Sequence, residues 1–167
     1  GAHVPDRSCE TEIARQYVET SRVDVVLGGG TSTFRSPWPD PCGTSGDFVA
    51  EAAAAGYRIA TTRDELWAAV ASGSTRLLGL FAPGALTPES QRPPGSSEPR
   101  LPDMTAAALA VLERAPSGFF VLIEGSQIDF GNHANNPEWQ RGEVLAFDEA
   151  VGVVRRWLAA DPRRERE

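Results

Sequence analysis

Apolar and polar positions along the chain switch repeatedly between period two and period three to four, which predicts short strands interleaved with helices. Val23-Asp24-Val25-Val26-Leu27 reads as a strand stopped by Gly28-Gly29-Gly30. Tyr57–Ala60 and Arg76–Phe81 read as two more. Phe119-Phe120-Val121-Leu122-Ile123 is apolar without interruption, which predicts a strand buried on both faces and ending at Glu124. Between these runs the spacing predicts helices. One covers Glu10–Glu19, with Ile13 and Tyr17 on one face. Another is capped by Asp47, runs through Ala55 and is ended by Gly56. A third opens with the capping box Thr62-Arg63-Asp64-Glu65 and reaches Val70. A fourth runs from Asp103 to Arg114, and the last from about Pro137 to Ala160. Val144, Phe147, Val151, Val154 and Leu158 form one apolar stripe on that last helix, which predicts a core-facing side.

Alternating strands and helices predict an α/β fold, with a mostly parallel central sheet flanked by helices. The pattern holds about four strands and no internal repeat. A chain of 167 residues suits one domain. Residues 83–102 are rich in Pro, Gly and Ser, and form an irregular loop too long for a tight connection. Both ends read like cuts through a larger domain: Gly1-Ala2-His3-Val4 has no cap, and the last helix runs into charged residues without a turn signal. The expectation is a single partial domain over residues 1–167. A cut sheet would leave an unpaired edge and bare apolar helix faces, making the isolated chain marginal, aggregation-prone or partner-dependent.

The net charge of −7 argues against nucleic acid as the main partner, because phosphate backbones need clustered cations. Every basic residue is Arg. No apolar run is long enough to span a membrane, and no secretion signal is visible in these residues. Cys9 and Cys42 both lie in turn-rich stretches, and composition leaves one bridge and two free thiols equally open. The chain has only two histidines, His3 and His133, so a catalytic zinc centre needing several imidazoles cannot be built from these residues alone.

The segment after the apolar run concentrates the candidate chemistry. It would sit beyond the carboxyl end of a strand, where open α/β sheets bind ligands. Glu124, Asp129 and His133 offer the oxygen and nitrogen donors that divalent metals take. Asp129 and His133 are four apart, which places them on one face of a helix or lets a compact loop converge them on one ion. The competing reading is a capped loop, with Asp129 accepting backbone N–H bonds. Arg7 can grip an oxyanion through its planar fork of donors, or can be an ordinary surface arginine. Gly28-Gly29-Gly30 lacks the following Lys and helix of a phosphate loop, and reads as a tight turn. Ser8 has no nearby histidine base and is not read as a nucleophile.

Phe119 through Asn135, together with Leu145-Ala146-Phe147-Asp148-Glu149-Ala150-Val151, closely resembles alkaline phosphatases. Ala2-His3-Val4-Pro5-Asp6-Arg7, the glycine-ended strand Val23–Gly30, and Leu77-Leu78-Gly79-Leu80-Phe81 resemble further segments of that family in order and spacing. The resemblance implies a phosphomonoesterase acting through a phosphoserine, with two zinc ions and one magnesium in the complete site. It implies that Glu124 is a magnesium ligand and that Asp129 and His133 are ligands of the water-activating zinc. Arg7 would clamp the phosphate oxygens, and His3 would be structural. Partners would be phosphomonoesters and inorganic phosphate, with a homodimer for the complete enzyme and a periplasmic or secreted location. Asn132 stands where some relatives carry Asp or His, which alters the surroundings of the zinc.

The family's Asp-Ser-Ala nucleophile motif and its Thr-Ala-Asp-His motif do not occur in the chain. The resemblance therefore implies an internal fragment that is inactive alone. The alternatives are a non-catalytic phosphate- or metal-binding domain, and a related metal-dependent phosphodiesterase or sulfatase-like hydrolase.

Overall fold

Three parallel strands carry the sheet of this computed structural model, which describes residues 2–165. They are β1 (Val25–Gly28), β4 (Arg58–Ala60) and β5 (Leu77–Leu80), in the order β1-β5-β4. Val25 pairs with Leu77 and Arg58 also pairs with Leu77, so β5 is central. All four β5 residues are buried, as expected for a parallel strand covered on both faces. At Gly79 an added Cβ would lie 2.5 Å from the Phe81 ring and 2.7 Å from the Leu27 side chain, so a larger residue there would make those side chains shift. A two-residue antiparallel pair, β2 (Arg35–Ser36) with β3 (Gly46–Asp47), forms a separate small sheet.

The helices of this part follow from their caps. The Asp47 carboxylate accepts the Ala50 N–H and opens α3 (Phe48–Ala54), and Gly56 closes the turn beyond it at φ 90°. The Thr62 hydroxyl accepts the Glu65 N–H and opens α4 (Arg63–Ala71). The returning Glu65 carboxylate takes the Thr61 N–H, one residue before the reciprocal position of a capping box. α1 (Glu10–Arg15) continues as a π-helical turn over Gln16–Thr20, and α2 (Thr31–Phe34) is a single turn after the glycines. The core gathers Ala14, Val18, Phe34, Phe48, Ala52 and Leu78, and the Tyr57 hydroxyl donates to the Val23 carbonyl at 2.8 Å. This is an α/β fold with a small parallel sheet flanked by helices.

Two compact units divide the chain, one ending at Leu86 and one beginning at Thr87. The first holds the sheet. The second is helical: α5 (Leu101–Leu112), α6 (Gln127–His133) and α7 (Pro137–Ala159), with a 3-10 turn at Glu89–Gln91. The irregular stretch leading to α5 is fixed by charge. Arg92 meets Glu89 and Glu98 at 3.4 and 3.3 Å, and Arg100 meets Glu89 and Glu149 at 2.7 Å each. Pro99 is fully buried.

Two sequence expectations fail in this unit. Phe119–Ile123 is not a strand: it pairs with nothing in the described sheets. Phe120 is 88% exposed and Leu122 79%, while Val121 and Ile123 are half-buried. The side chains alternate as on a strand, but a ladder needs a neighbouring backbone, and none of the described strands supplies one. The stripe on α7 is also displaced. Ala146 and Ala150 are its buried residues, whereas Val144 and Val151 remain exposed. Small side chains let neighbouring helices approach on the alanine side, and the bulkier stripe is left partly uncovered.

Candidate active site

Arg7 lies in a turn over Pro5–Ser8, just before α1. The Asp6 carboxylate accepts the Ser8 N–H at 2.8 Å, and the Asp6 carbonyl accepts the Cys9 N–H at 3.1 Å. That first bond holds the Asp6 carboxyl below the usual carboxylate range. Upstream, the Gln16 side chain clamps the His3 backbone, taking its N–H at 2.8 Å and donating to its carbonyl at 3.0 Å. Downstream, buried Cys9 forms a disulfide with exposed Cys42, a pairing that the sequence left open. Among the described residues, the Arg7 guanidinium makes no ion pair or hydrogen bond.

The glycines after β1 have a steric role. A Cβ on Gly29 would collide with the Gly84 carbonyl, and Gly30 adopts φ 91° while its N–H donates to that same carbonyl at 2.8 Å. Thr31 then donates through both its N–H and its hydroxyl to the Ala82 carbonyl, tying the turn to the end of β5. These residues make a tight crossing, as the glycines predict, but the sequence pattern places no helix after them and the structure does: the single turn α2 starts directly after Gly30.

In the helical unit, the candidate ligands begin where the apolar run ends. Glu124 is exposed in a segment without regular structure. Asp129 and His133 both lie on α6, one turn apart, 69% and 80% exposed at the side chain. The Asp129 Oδ2 and His133 Nε2 atoms are 3.4 Å apart. Two ligands of a tetrahedral zinc, with bonds of about 2.0–2.1 Å, stand about 3.3 Å from each other, so this separation suits one shared ion. Asp129 lies in the first turn of α6. Close packing fixes α6: a Cβ on Gly131 would lie 2.7 Å from the Gln140 backbone nitrogen. The Asn136 side chain accepts the Trp139 N–H and starts α7, with Pro137 in its first turn.

Asp129 and His133 are therefore brought together, and Glu124 is not placed with them as a three-ligand group. The donor types fit the implied ions, since an imidazole with a carboxylate suits zinc and a carboxylate oxygen suits magnesium. Among the described residues, the one group of three with metal-ligand spacing is Cys9, Asp40 and Cys42, and its two sulfurs are bonded to each other. Asp40 escaped the sequence reading. Its carboxylate accepts N–H bonds from Glu12 and Cys42 at 2.9 Å and from Thr44 at 3.1 Å. The Asp40-Pro41-Cys42-Gly43 turn was the available signal.

Comparison with known proteins identifies the family. The alkaline phosphatase family model matches residues 2–162. Alkaline phosphatase H of Pseudomonas aeruginosa is 35% identical, over 89% of this chain and 36% of that protein. Streptomycin-6-phosphate phosphatase of Streptomyces griseus is 34% identical, over 97% of this chain and 45% of that protein. The crystal structure of Thermus thermophilus alkaline phosphatase superposes with a TM-score of 0.82 at 36% identity, over 95% of this chain and 32% of that one. The chain thus spans less than half the length of these relatives, and it belongs to the alkaline phosphatase family.

Proposed function

We propose that these residues form part of a metal-dependent phosphomonoesterase of the alkaline phosphatase type. The observation that carries this reading is the 3.4 Å approach of Asp129 and His133 on α6, inside the segment that matches the family. Asp129 and His133 would hold a zinc ion and Glu124 a magnesium ion, with a second zinc in the complete site. Those ions would neutralise phosphate charge and activate water. Arg7, free of protein partners among the described residues, would bind two phosphate oxygens side by side and fix the phosphorus for attack. The serine nucleophile and the remaining zinc ligands would come from residues outside this chain, which would be inactive alone. The Cys9–Cys42 bridge supports an oxidising compartment, periplasmic or secreted. A homodimer is the expected assembly of the complete enzyme.

Turnover of a simple phosphomonoester and bound zinc should both be measured, on the isolated chain and on a full-length polypeptide that carries it. The isolated chain should show no turnover. In the full polypeptide, Asp129→Ala and His133→Ala should each reduce activity by about 10²-fold or more and lower the zinc content. Unchanged zinc content and rate in both variants would overturn the assignment. The lack of an Asp-Ser-Ala motif in these residues favours one second reading, a non-catalytic phosphate- or metal-binding domain. Saturable phosphate binding by the isolated folded chain would support it.

A further inference from the structure

The turn carrying Arg7 is held by its backbone and by the groups on either side of it, because the guanidinium has no protein partner among the described residues. Upstream the anchor is the Gln16 clamp on His3. Downstream the anchor is covalent, since Cys9 follows Arg7 by two residues, is fully buried, and is bonded to Cys42. The far side of that bond is itself fixed. The Asp40 carboxylate holds the Cys42 and Thr44 N–H groups and also reaches the Glu12 N–H at the start of α1. The Thr44 hydroxyl donates to Glu12 at 2.6 Å, and Arg15 and Gln16 donate to the same carboxylate. One network therefore joins Cys42, Asp40, Glu12 and Gln16, and it meets the Arg7 turn at both ends.

We propose that the Cys9–Cys42 disulfide, seated on Asp40, is a positioning link that presents the Arg7 guanidinium to phosphate. Arg7 binds the anion, while the cysteines and Asp40 touch no substrate and act only through the turn. This rests on the phosphate-binding role of Arg7 proposed above. A bidentate contact needs the planar fork held in one direction. With the link opened, the segment from Val4 to Ser8 keeps its upstream anchor and loses its covalent one, so phosphate affinity should fall while the protein remains folded.

The test is a four-cornered comparison in the metal-loaded full polypeptide, using inorganic phosphate as the probe. Wild type and Arg7→Ala are each measured by calorimetry, in the oxidised form and after a dithiol reductant has converted the bridge to two thiols. In wild type, reduction should weaken phosphate about tenfold, a part of what a charged hydrogen-bonded pair is worth, and reoxidation should restore it. In Arg7→Ala, reduction should change the affinity less than about twofold, the signature of coupling between the two sites. Nitrogen-15 relaxation should show Arg7 and Ser8 loosening on reduction while β5 stays ordered. Should the reduced form unfold, Asp40→Ala, which retains the bridge, should shift phosphate affinity in the same direction by a smaller factor. An equal loss on reduction in both backgrounds, or no loss in wild type, would overturn the link. An Arg7→Ala variant that binds phosphate as wild type does would overturn the Arg7 assignment itself and the link with it.

Discussion

Leu77-Leu78-Gly79-Leu80 and Phe119-Phe120-Val121-Leu122-Ile123 are strongly apolar runs, one in each unit, and they have opposite fates. The first is the central strand, with every residue buried between β1 and β4. The second is more apolar and carries two aromatic rings, yet it exposes Phe120 and Leu122. Hydrophobicity is therefore not what makes a strand. A strand forms where neighbouring backbones satisfy its N–H and C=O groups, and burial of its side chains then stabilises the pairing. The sheet-bearing unit supplies those neighbours and adds a covalent bridge. In the helical unit order comes from α5, α6 and α7 packing together and from the ion pairs of Arg92 and Arg100.

The largest test of this contrast removes the bridge. Cys42→Ser should cost about 3–4 kcal/mol, because the bond spans 33 residues and restricts the unfolded chain accordingly. Urea unfolding with and without a reductant measures it, and wild type under reductant should lose the same amount. A variant as stable as oxidised wild type would mean that the network around Asp40 holds this region without the bond.

Acid titration should separate the two units next. In the sheet-bearing unit the Arg15 guanidinium, the Thr44 hydroxyl and the Gln16 amide hold the Glu12 carboxyl well below its ordinary value of 4.5. A depressed folded-state pKa contributes stability that is fully present above 4.5 and is lost as pH falls through the folded value. Glu12→Gln should lose about 1.5–3 kcal/mol at neutral pH, the range for hydrogen bonds to a charged group, and the deficit should shrink in acid. In the helical unit Glu143 has the opposite sign. Burial pushes its carboxyl up, against the Glu89 N–H that favours the charged form. Its charge costs stability at neutral pH, so Glu143→Gln should gain there, and the gain should vanish as pH falls through the raised value. Stability measured from neutral pH down to pH 3 for both variants checks the two signs; parallel profiles would contradict them.

The smallest effect is expected at the exposed apolar run. Phe120→Ser should change the unfolding free energy of the isolated chain by less than about 0.5 kcal/mol, since little burial is lost. The same change should raise solubility, because an exposed strand-like apolar segment is an aggregation template. A cost of several kcal/mol would mean that Phe120 is covered in solution.

Local chemistry was legible in the sequence wherever the controlling contacts were local. Asp47 and Thr62 cap their helices as the spacing predicts, and the three parallel strands fall close to the predicted runs. The four-residue spacing of Asp129 and His133 left a helix face and a compact loop both open, and the structure places the two on α6. Three other features were not legible. The strand expected at Phe119–Ile123 needed a partner from elsewhere. The buried face of α7 was set by what packs against Ala146 and Ala150, not by its most apolar stripe. The pairing of Cys9 with Cys42 depended on a Cα separation of 5.5 Å that composition cannot encode.

By itself the sequence determined the helix caps, the glycine crossing after β1, the donor types of the candidate metal site and the family, because these depend on residue identity at short spacing. Tertiary structure decided which apolar run is paired, which cysteines meet and how the turn around Arg7 is anchored. Those outcomes require backbones far apart in sequence to meet at hydrogen-bonding or bonding distance, and spacing along the chain does not specify such a meeting.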